Sequence, residues 1–274
     1  MNKTSRSALL AFGLAFSEPV LAADLPSLKD APEASAAPAP GGWRFEATIN
    51  GWAPSLQVNT GFGRLPSATS NVGFFTLLRH LYGNVPVSFT ARNDNFITGL
   101  DLYWVRLGVN AHFNVLPGSP FGGVNASLTL GETILSGFGG VKIPFGSPDF
   151  SLYAIAGARF VNLNESFGLG VPVVGFERNT SLTKNWATPI AGLVLRNIFD
   201  DKWYADGEVD VGGTGGSATY QFFSAVGYNW TPSIATTVGF RALYLYNQQY
   251  NDFGGSFRIH QTMLGPQATV TYKF

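Results

Sequence analysis

From Trp43 to Phe274 apolar and polar residues alternate with a period of two. After residue 23 a polar residue or glycine breaks every apolar stretch before it reaches the ~18 residues of a membrane-spanning helix. Trp43, Phe45, Ala47 and Ile49 alternate with Arg44, Glu46, Thr48 and Asn50. Phe96, Thr98, Leu100, Leu102 and Trp104 oppose Asp101 and Tyr103, and Phe150, Leu152, Ala154, Ala156, Ala158 and Phe160 oppose Ser151, Tyr153 and Arg159. Trp203, Ala205, Val209 and Val211 oppose Tyr204, Asp206, Glu208 and Asp210. The last run is the clearest, with Leu264, Ala268, Val270, Tyr272 and Phe274 against Gln267, Thr269, Thr271 and Lys273. Such strands have one apolar and one polar face.

Composition decides what the apolar face meets. Charged residues are 12% of the chain, against roughly 25% in ordinary soluble domains. The 33 glycines, 23 phenylalanines, 10 tyrosines and 6 tryptophans suit lipid contact. Inside lipid every backbone N–H and C=O needs a partner within the protein, so strands there must close. The expectation is an all-β fold, a closed antiparallel transmembrane β-barrel. A soluble sandwich would also alternate, but it would not concentrate bulky aromatics near strand ends, where barrels carry interfacial girdles.

The N-terminus reads as an address. Lys3 and Arg6 precede the apolar stretch Ala8 to Phe16, and Val20-Leu21-Ala22 before Ala23 has the small residues of a cleavage site. Residues 1–22 are expected to be a signal peptide, residues 23–42 an Ala/Pro-rich periplasmic linker, and residues 43–274 the barrel. The expected location is the bacterial outer membrane. The chain has no cysteine, which excludes disulfides and thiolate chemistry. Its 17 basic and 17 acidic residues balance, so no overall attraction to nucleic acid is expected.

Turn signals fall into two classes that alternate along the chain. Short connections are expected at residues 93–95, 144–149, 199–202 and 231–233, and longer ones at 54–84, 109–122, 166–182, 212–216 and 250–256. This rhythm predicts about ten strands, with eight or twelve open, the short turns periplasmic and the longer loops extracellular. Residues 123–143 and 183–198 alternate poorly. Glu132 shares parity with Leu128, Leu130 and Ile134, which predicts a bulge or register shift there. Phe74, Phe75, Leu77, Leu78 and Leu81 predict a short amphipathic helix within Asn71 to Gly83 of the first loop, packed over the barrel mouth or gating it.

Several pieces resemble a family of small, porin-like proteobacterial outer-membrane β-barrel proteins over roughly residues 43 to 274. They are Ala156-Gly157-Ala158-Arg159-Phe160, Trp186 through Gly192, Asp210 to Gly213, Gly239-Phe240-Arg241 and Leu264-Gly265-Pro266. Where that family usually has an acid after Trp in its sixth-strand motif, this chain has Ala187 and Thr188. Phe274, with Tyr272 and Val270 at alternate places before it, resembles the signal read by the barrel-assembly machinery. Ala22-Ala23-Asp24-Leu25-Pro26-Ser27 is similar to mature N-termini of outer-membrane proteins from α-proteobacteria. The resemblance implies a closed barrel and brings no established catalytic activity.

By parity the lumen should carry Arg44, Glu46, Arg92, Asp101, Arg159, Asp206, Glu208, Asp210 and Arg241. Isolated charges in a narrow interior are costly, so they should pair. Either they form a polar plug, or the row Asp206, Glu208 and Asp210 faces Arg159 and Arg241 across a small water-filled path. The first functional expectation is therefore a small porin-like passive channel for ions or small polar solutes. The alternative is a non-conducting structural or surface-contact barrel. An outer-membrane lipid hydrolase using His112 or His260 is a third reading, but His80, His112 and His260 are expected in loops or at strand ends, without metal-ligand spacing. Gly212-Gly213-Thr214-Gly215-Gly216 lacks the Lys-Ser/Thr and helix of a phosphate loop and reads as a hairpin tip. No enzyme activity, cofactor or metal is expected. The expected partners are outer-membrane lipid, the assembly machinery and, on the pore reading, small polar solutes.

Overall fold

The computed structural model describes residues 42–62, 68–114, 123–144, 147–171, 176–250 and 256–274. The expected signal peptide, and the linker up to residue 41, lie outside the described residues. Twelve strands and one short helix follow one another: β1 (Arg44–Trp52), β2 (Ser55–Phe62), β3 (Ala68–Val72), α1 (Phe74–Arg79), β4 (Leu81–Arg92), β5 (Phe96–Asn114), β6 (Gly123–Ile143), β7 (Phe150–Val171), β8 (Phe176–Ile198), β9 (Trp203–Gly213), β10 (Ser217–Asn229), β11 (Ile234–Tyr250) and β12 (Ser256–Lys273). β1 and β4 to β12 pair in antiparallel succession, and β1 closes on β12, giving a ten-stranded barrel with β2 and β3 in addition. The seam runs from Glu46↔Lys273 to Trp52↔Gln267. Phe274 finishes it by exchanging two backbone hydrogen bonds with Phe45, at 3.0 and 3.1 Å.

Alternation determines which face each strand turns outward. Ile49, Leu100, Phe160, Val211, Val238 and Val270 are exposed on the outer wall, while Asn50, Tyr103, Arg159, Asp210, Arg241 and Gln267 are buried within. Aromatic rings gather at the turn end. Phe274 stacks on Phe45 at 5.7 Å and on Tyr272 at 5.9 Å, and Trp203, Tyr228 and Trp230 form a second group. An apolar belt edged by aromatics around a closed antiparallel wall is how strands satisfy a bilayer. No helix among the described residues is long and apolar enough to cross a membrane; the strands do so.

The loop side departs from expectation. Residues 54–84 are not a long loop: they contain β2, β3, α1 and the start of β4, and the helix is confined to Phe74–Arg79. It starts at Gly73, whose carbonyl accepts from the amides of Thr76 and Leu77, both at 3.0 Å. The expected loops at 109–122 and 166–182 are partly strand: residues 109–114 belong to β5, 166–171 to β7 and 176–182 to β8, while 115–122 and 172–175 lie outside the described residues. β5 to β8 contain 19, 21, 22 and 23 residues, whereas ~10 tilted residues cross a bilayer. Their turn ends align with those of their shorter neighbours, so the excess projects on the loop side.

The predicted irregularity in residues 123–143 is absent. β6 pairs without interruption with β5 and with β7. Leu130, Glu132 and Ile134 share one parity because all three point inward, into a barrel whose loop-side interior is itself apolar. The register shift among the described pairings of β4 and β5 lies instead between Leu81 and Gly83.

Candidate functional site

The interior changes character along its length. Three ionic clusters climb from the turn end, and an apolar filling lies beyond them. In the first, Arg196 from β8 reaches Glu46 at 2.9 Å and holds Asp206 with its Nε and a second nitrogen, the latter at 2.7 Å; Arg92 also pairs with Glu46. The Arg196 guanidinium lies over the Tyr204 ring at 4.7 Å. In the second, Arg241 pairs with Asp101 across the lumen and donates to Gln221 at 2.7 Å, and Gln221 donates to Glu208 at 2.7 Å. Its guanidinium covers the Trp52 ring at 4.9 Å.

The third cluster is fully enclosed. Arg159 donates to both oxygens of Asp210, at 3.0 and 2.8 Å, to Ser136 Oγ at 3.0 Å and to Thr219 Oγ1 at 2.6 Å. Both side chains of the pair have 0% exposure. A bidentate, fully hydrogen-bonded pair of this kind is the arrangement in which a buried ion pair is tolerated.

The nine lumen charges expected from parity therefore divide. Glu46, Arg92, Asp101, Arg159, Asp206, Glu208, Asp210 and Arg241 all join these clusters. Arg44 lies at the turn-side rim, half exposed, and pairs with Asp94 at 3.0 Å. The acidic row does not face Arg159 and Arg241 as a block: Asp206 is neutralised by Arg196, Asp210 by Arg159, and Arg241 takes Asp101. Sequence reasoning missed Arg196, the hub of the first cluster, and Glu132, a buried carboxylate of which one oxygen accepts from Gln261 at 2.8 Å. Both sit in the segments whose alternation is poor.

Between the first two clusters lies a polar cavity of about 150 Å³, with Thr48, Asn50, Ser88 and Thr90 on its wall beside the charges. Past the third cluster the barrel is packed with apolar side chains, among them Ile134, Val161, Leu163, Trp186, Leu243, Leu245 and Ile259. The two histidines with described side chains, His80 and His260, do not converge. His80 ends α1 and donates from Nδ1 to Thr76 O at 2.7 Å. His260 is inside β12 rather than at its end, hydrogen-bonded to Tyr244 OH at 3.1 Å. His112 falls in β5 opposite Asn125, its side chain outside the described residues. Val270, Tyr272 and Phe274 are exposed on the outer wall.

The closed wall, the apolar belt and the polar turn-side interior settle the architecture. The fold is that of a bacterial outer-membrane β-barrel. No protein-family model and no curated protein matches the sequence. Among solved structures, the attachment invasion locus protein Ail of Yersinia pestis, in complex with the heparin analogue sucrose octasulfate, is 12% identical; the match covers 85% of this chain and 99% of Ail, with a TM-score of 0.34. The translocator domain of the autotransporter NalP from Neisseria meningitidis is 15% identical over 85% of this chain and 88% of that one, with a TM-score of 0.43. A Pseudomonas aeruginosa FadL homologue is 9% identical over 84% and 90%, with a TM-score of 0.32. At such identities the likeness is one of fold.

Proposed function

We propose that this protein is a non-conducting outer-membrane barrel. On this reading its lumen is closed by paired charges and apolar packing, and its projecting strands serve the cell surface rather than solute flow. The observation that carries the reading is the enclosed Arg159–Asp210 pair backed by the apolar interior. An ion crossing that layer would lose its water to a wall that is mainly apolar, with the Glu132–Gln261 pair an isolated polar feature. The porin-like channel is the second reading, favoured by the polar cavity of about 150 Å³ and the charges around it. A barrel without enzymatic activity, in contact with outer-membrane lipid and inserted by the assembly machinery through Phe274, Tyr272 and Val270, belongs to the same proposal.

Single-channel recording of the refolded chain in a planar bilayer separates the two readings, with folding checked by heat-modifiable gel mobility. A folded and silent barrel is expected. Reproducible, ion-selective steps would overturn the closed reading in favour of the channel.

A further inference from the structure

The barrel wall has a break. β1 and β4 pair only from Arg44↔Arg92 to Ile49↔Val87. Beyond that point β1 is interrupted at Ala53-Pro54 and continues in the same register as β2, which pairs with β12 on one edge and β3 on the other. β4 runs on from Pro86 to Leu81 with β5 as its partner, and no β3–β4 pairing occurs among the described residues. Proline has no N–H to give a neighbouring strand, and Pro54 and Pro86 stand on the two banks of the break. α1 lies beside it: Leu77 packs on the apolar interior, while Phe75, at 76% exposure, and Leu78 stay uncovered.

Behind the break is an apolar cavity of about 310 Å³. Trp52 and Leu56 line one bank, Leu81 and Asn84 the other, and Phe74 and Leu77 of α1 stand between, with Glu132 of β6 on the same lining. Three of these residues carry a buried polar atom with no hydrogen-bond partner: Trp52 Nε1, Asn84 Oδ1 and Glu132 Oε1. Buried polar atoms in folded proteins are nearly always satisfied, and three orphans on one apolar cavity mark a place built for a polar group that the chain does not supply.

We propose that this cavity binds a small uncharged amphiphile, an apolar body with a hydroxyl head such as a phenol or a medium-chain alcohol. A hydroxyl accepts, as the Trp52 N–H requires, and donates its one proton to either Asn84 Oδ1 or Glu132 Oε1. The lining holds no lysine or arginine, and the Glu132 carboxylate opposes an anionic head. The volume is at the lower end of ligand pockets, ~300 Å³ and upward. Exposed Tyr82 and Val85 on the outer face of β4, with Phe75 and Leu78, make the outside of the break apolar, so it faces the phase in which such a molecule dissolves. The inference is independent of whether the lumen conducts.

The test uses the full mature chain in phosphatidylcholine vesicles, with 8-bromooctan-1-ol as the probe and bromine quenching of tryptophan as the signal. Tryptophans on the outer wall should be quenched in proportion to probe partitioned in lipid, whereas Trp52 should add a saturable component. 1-Octanol and p-cresol should compete for it, and octanoate and octylammonium should not. Whichever of Asn84 and Glu132 accepts the hydroxyl proton, its leucine variant (Asn84→Leu or Glu132→Leu) should weaken the component about tenfold, and Leu107→Phe, which fills the cavity, should remove it. Quenching of the unaltered chain that never saturates overturns the proposal, as does equal competition by octanoate or octylammonium, and these measurements need no variant to fold. Saturation left unchanged in folded variants overturns it too.

Discussion

Replacing Arg159 with leucine should destabilise the folded barrel by about 3–5 kcal/mol. The size follows from what remains. Arg159 makes four charge-assisted hydrogen bonds, two of them to Asp210, from a side chain with no exposure. Taken singly, each would contribute about 1.5–3 kcal/mol, but burial of the guanidinium opposes much of that sum. What the substitution adds is an Asp210 carboxylate enclosed without a cation. Asp210→Leu should cost about the same by stranding Arg159. The double variant should cost much less than the two single costs together, because two leucines would extend the neighbouring apolar interior. Urea unfolding in vesicles, followed by tryptophan fluorescence and heat-modifiable mobility, reads the effect as a change of two to more than three orders of magnitude in the unfolding constant, at ~1.4 kcal/mol per tenfold. Costs that simply add in the double variant would refute the reasoning, since the pair would then not act as a unit and would not hold the lumen closed.

Arg241→Ala should lower stability by a similar ~3–5 kcal/mol, because Asp101 would lose its partner and Trp52 its cover, yet leave bilayer recordings silent, since the Arg159–Asp210 pair and the apolar interior beyond it are untouched. Gly157→Val should abolish folding judged by heat-modifiable mobility: a Cβ there would lie 2.0 Å from the Gly137 carbonyl oxygen and 2.7 Å from Phe138 Cα, whereas Gly139→Ala, with nothing within 4 Å, should fold normally. At the Phe199 to Lys202 turn, backbone amides of Trp203 and Lys202 hold the Asp200 carboxyl below its ordinary 3.8. Its contribution is therefore complete above pH 3.8 and fades as pH falls through the lower folded value; a carboxyl NMR titration should give a midpoint below 3.8, and Asp200→Asn should remove that acid-side change.

The turn-side half of the barrel was legible because its two faces meet different surroundings. Where lipid is outside and paired charges are inside, as along β1, β9 and β12, alternation is sharp and the inward charges could be named, Lys273 over the Tyr204 ring excepted. On the loop side the interior itself turns apolar, while the outer face of β7 and β8 carries Asn162, Asn164, Thr183 and Asn185. Leu130 and Ile134 point in, Leu135 points out, and period two loses its contrast, which is why a bulge was expected where the register is continuous. Arg196 is on the turn side, in the first cluster, and was hidden instead by its own run, Leu193-Val194-Leu195-Arg196, in which Val194 shares its inward face. Pairing is a different matter. Arg241 and Asp101 are 140 residues apart, and only the tilt and closure of the wall bring them together. The resembling motifs do gain a physical reading: Gly157 precedes Arg159, Gly239 precedes Arg241 and Gly212 follows Asp210 by two places, so each sets an inward glycine beside an inward charge. A Cβ at any of these glycines would meet neighbouring backbone oxygen within 2.0 to 2.1 Å, so strands bend close together where the guanidinium and carboxylate groups are held.

The axial order of the interior connects the closed lumen to the break in the wall. A water-filled channel needs polar lining throughout, since one dry layer is enough to stop an ion. Here the dry layer is not thin: it runs from the third ionic cluster through Val161, Leu163, Trp186, Leu245 and Ile259, beyond what membrane insertion demands, because only the outer face of a barrel must be apolar for that. Packing alone would account for an apolar interior. It would not account for an interior that stays unfilled at one place, beside the stretch where β1 and β4 part, with Trp52, Asn84 and Glu132 contributing unpartnered polar atoms to the same wall. Glu132 is the telling residue, since leucine at that position would complete the packing around Leu130 and Ile134 at no cost in desolvation. A carboxylate there makes physical sense when something enters the cavity to meet it, and the break, edged by Pro54 and Pro86, is the opening that adjoins it.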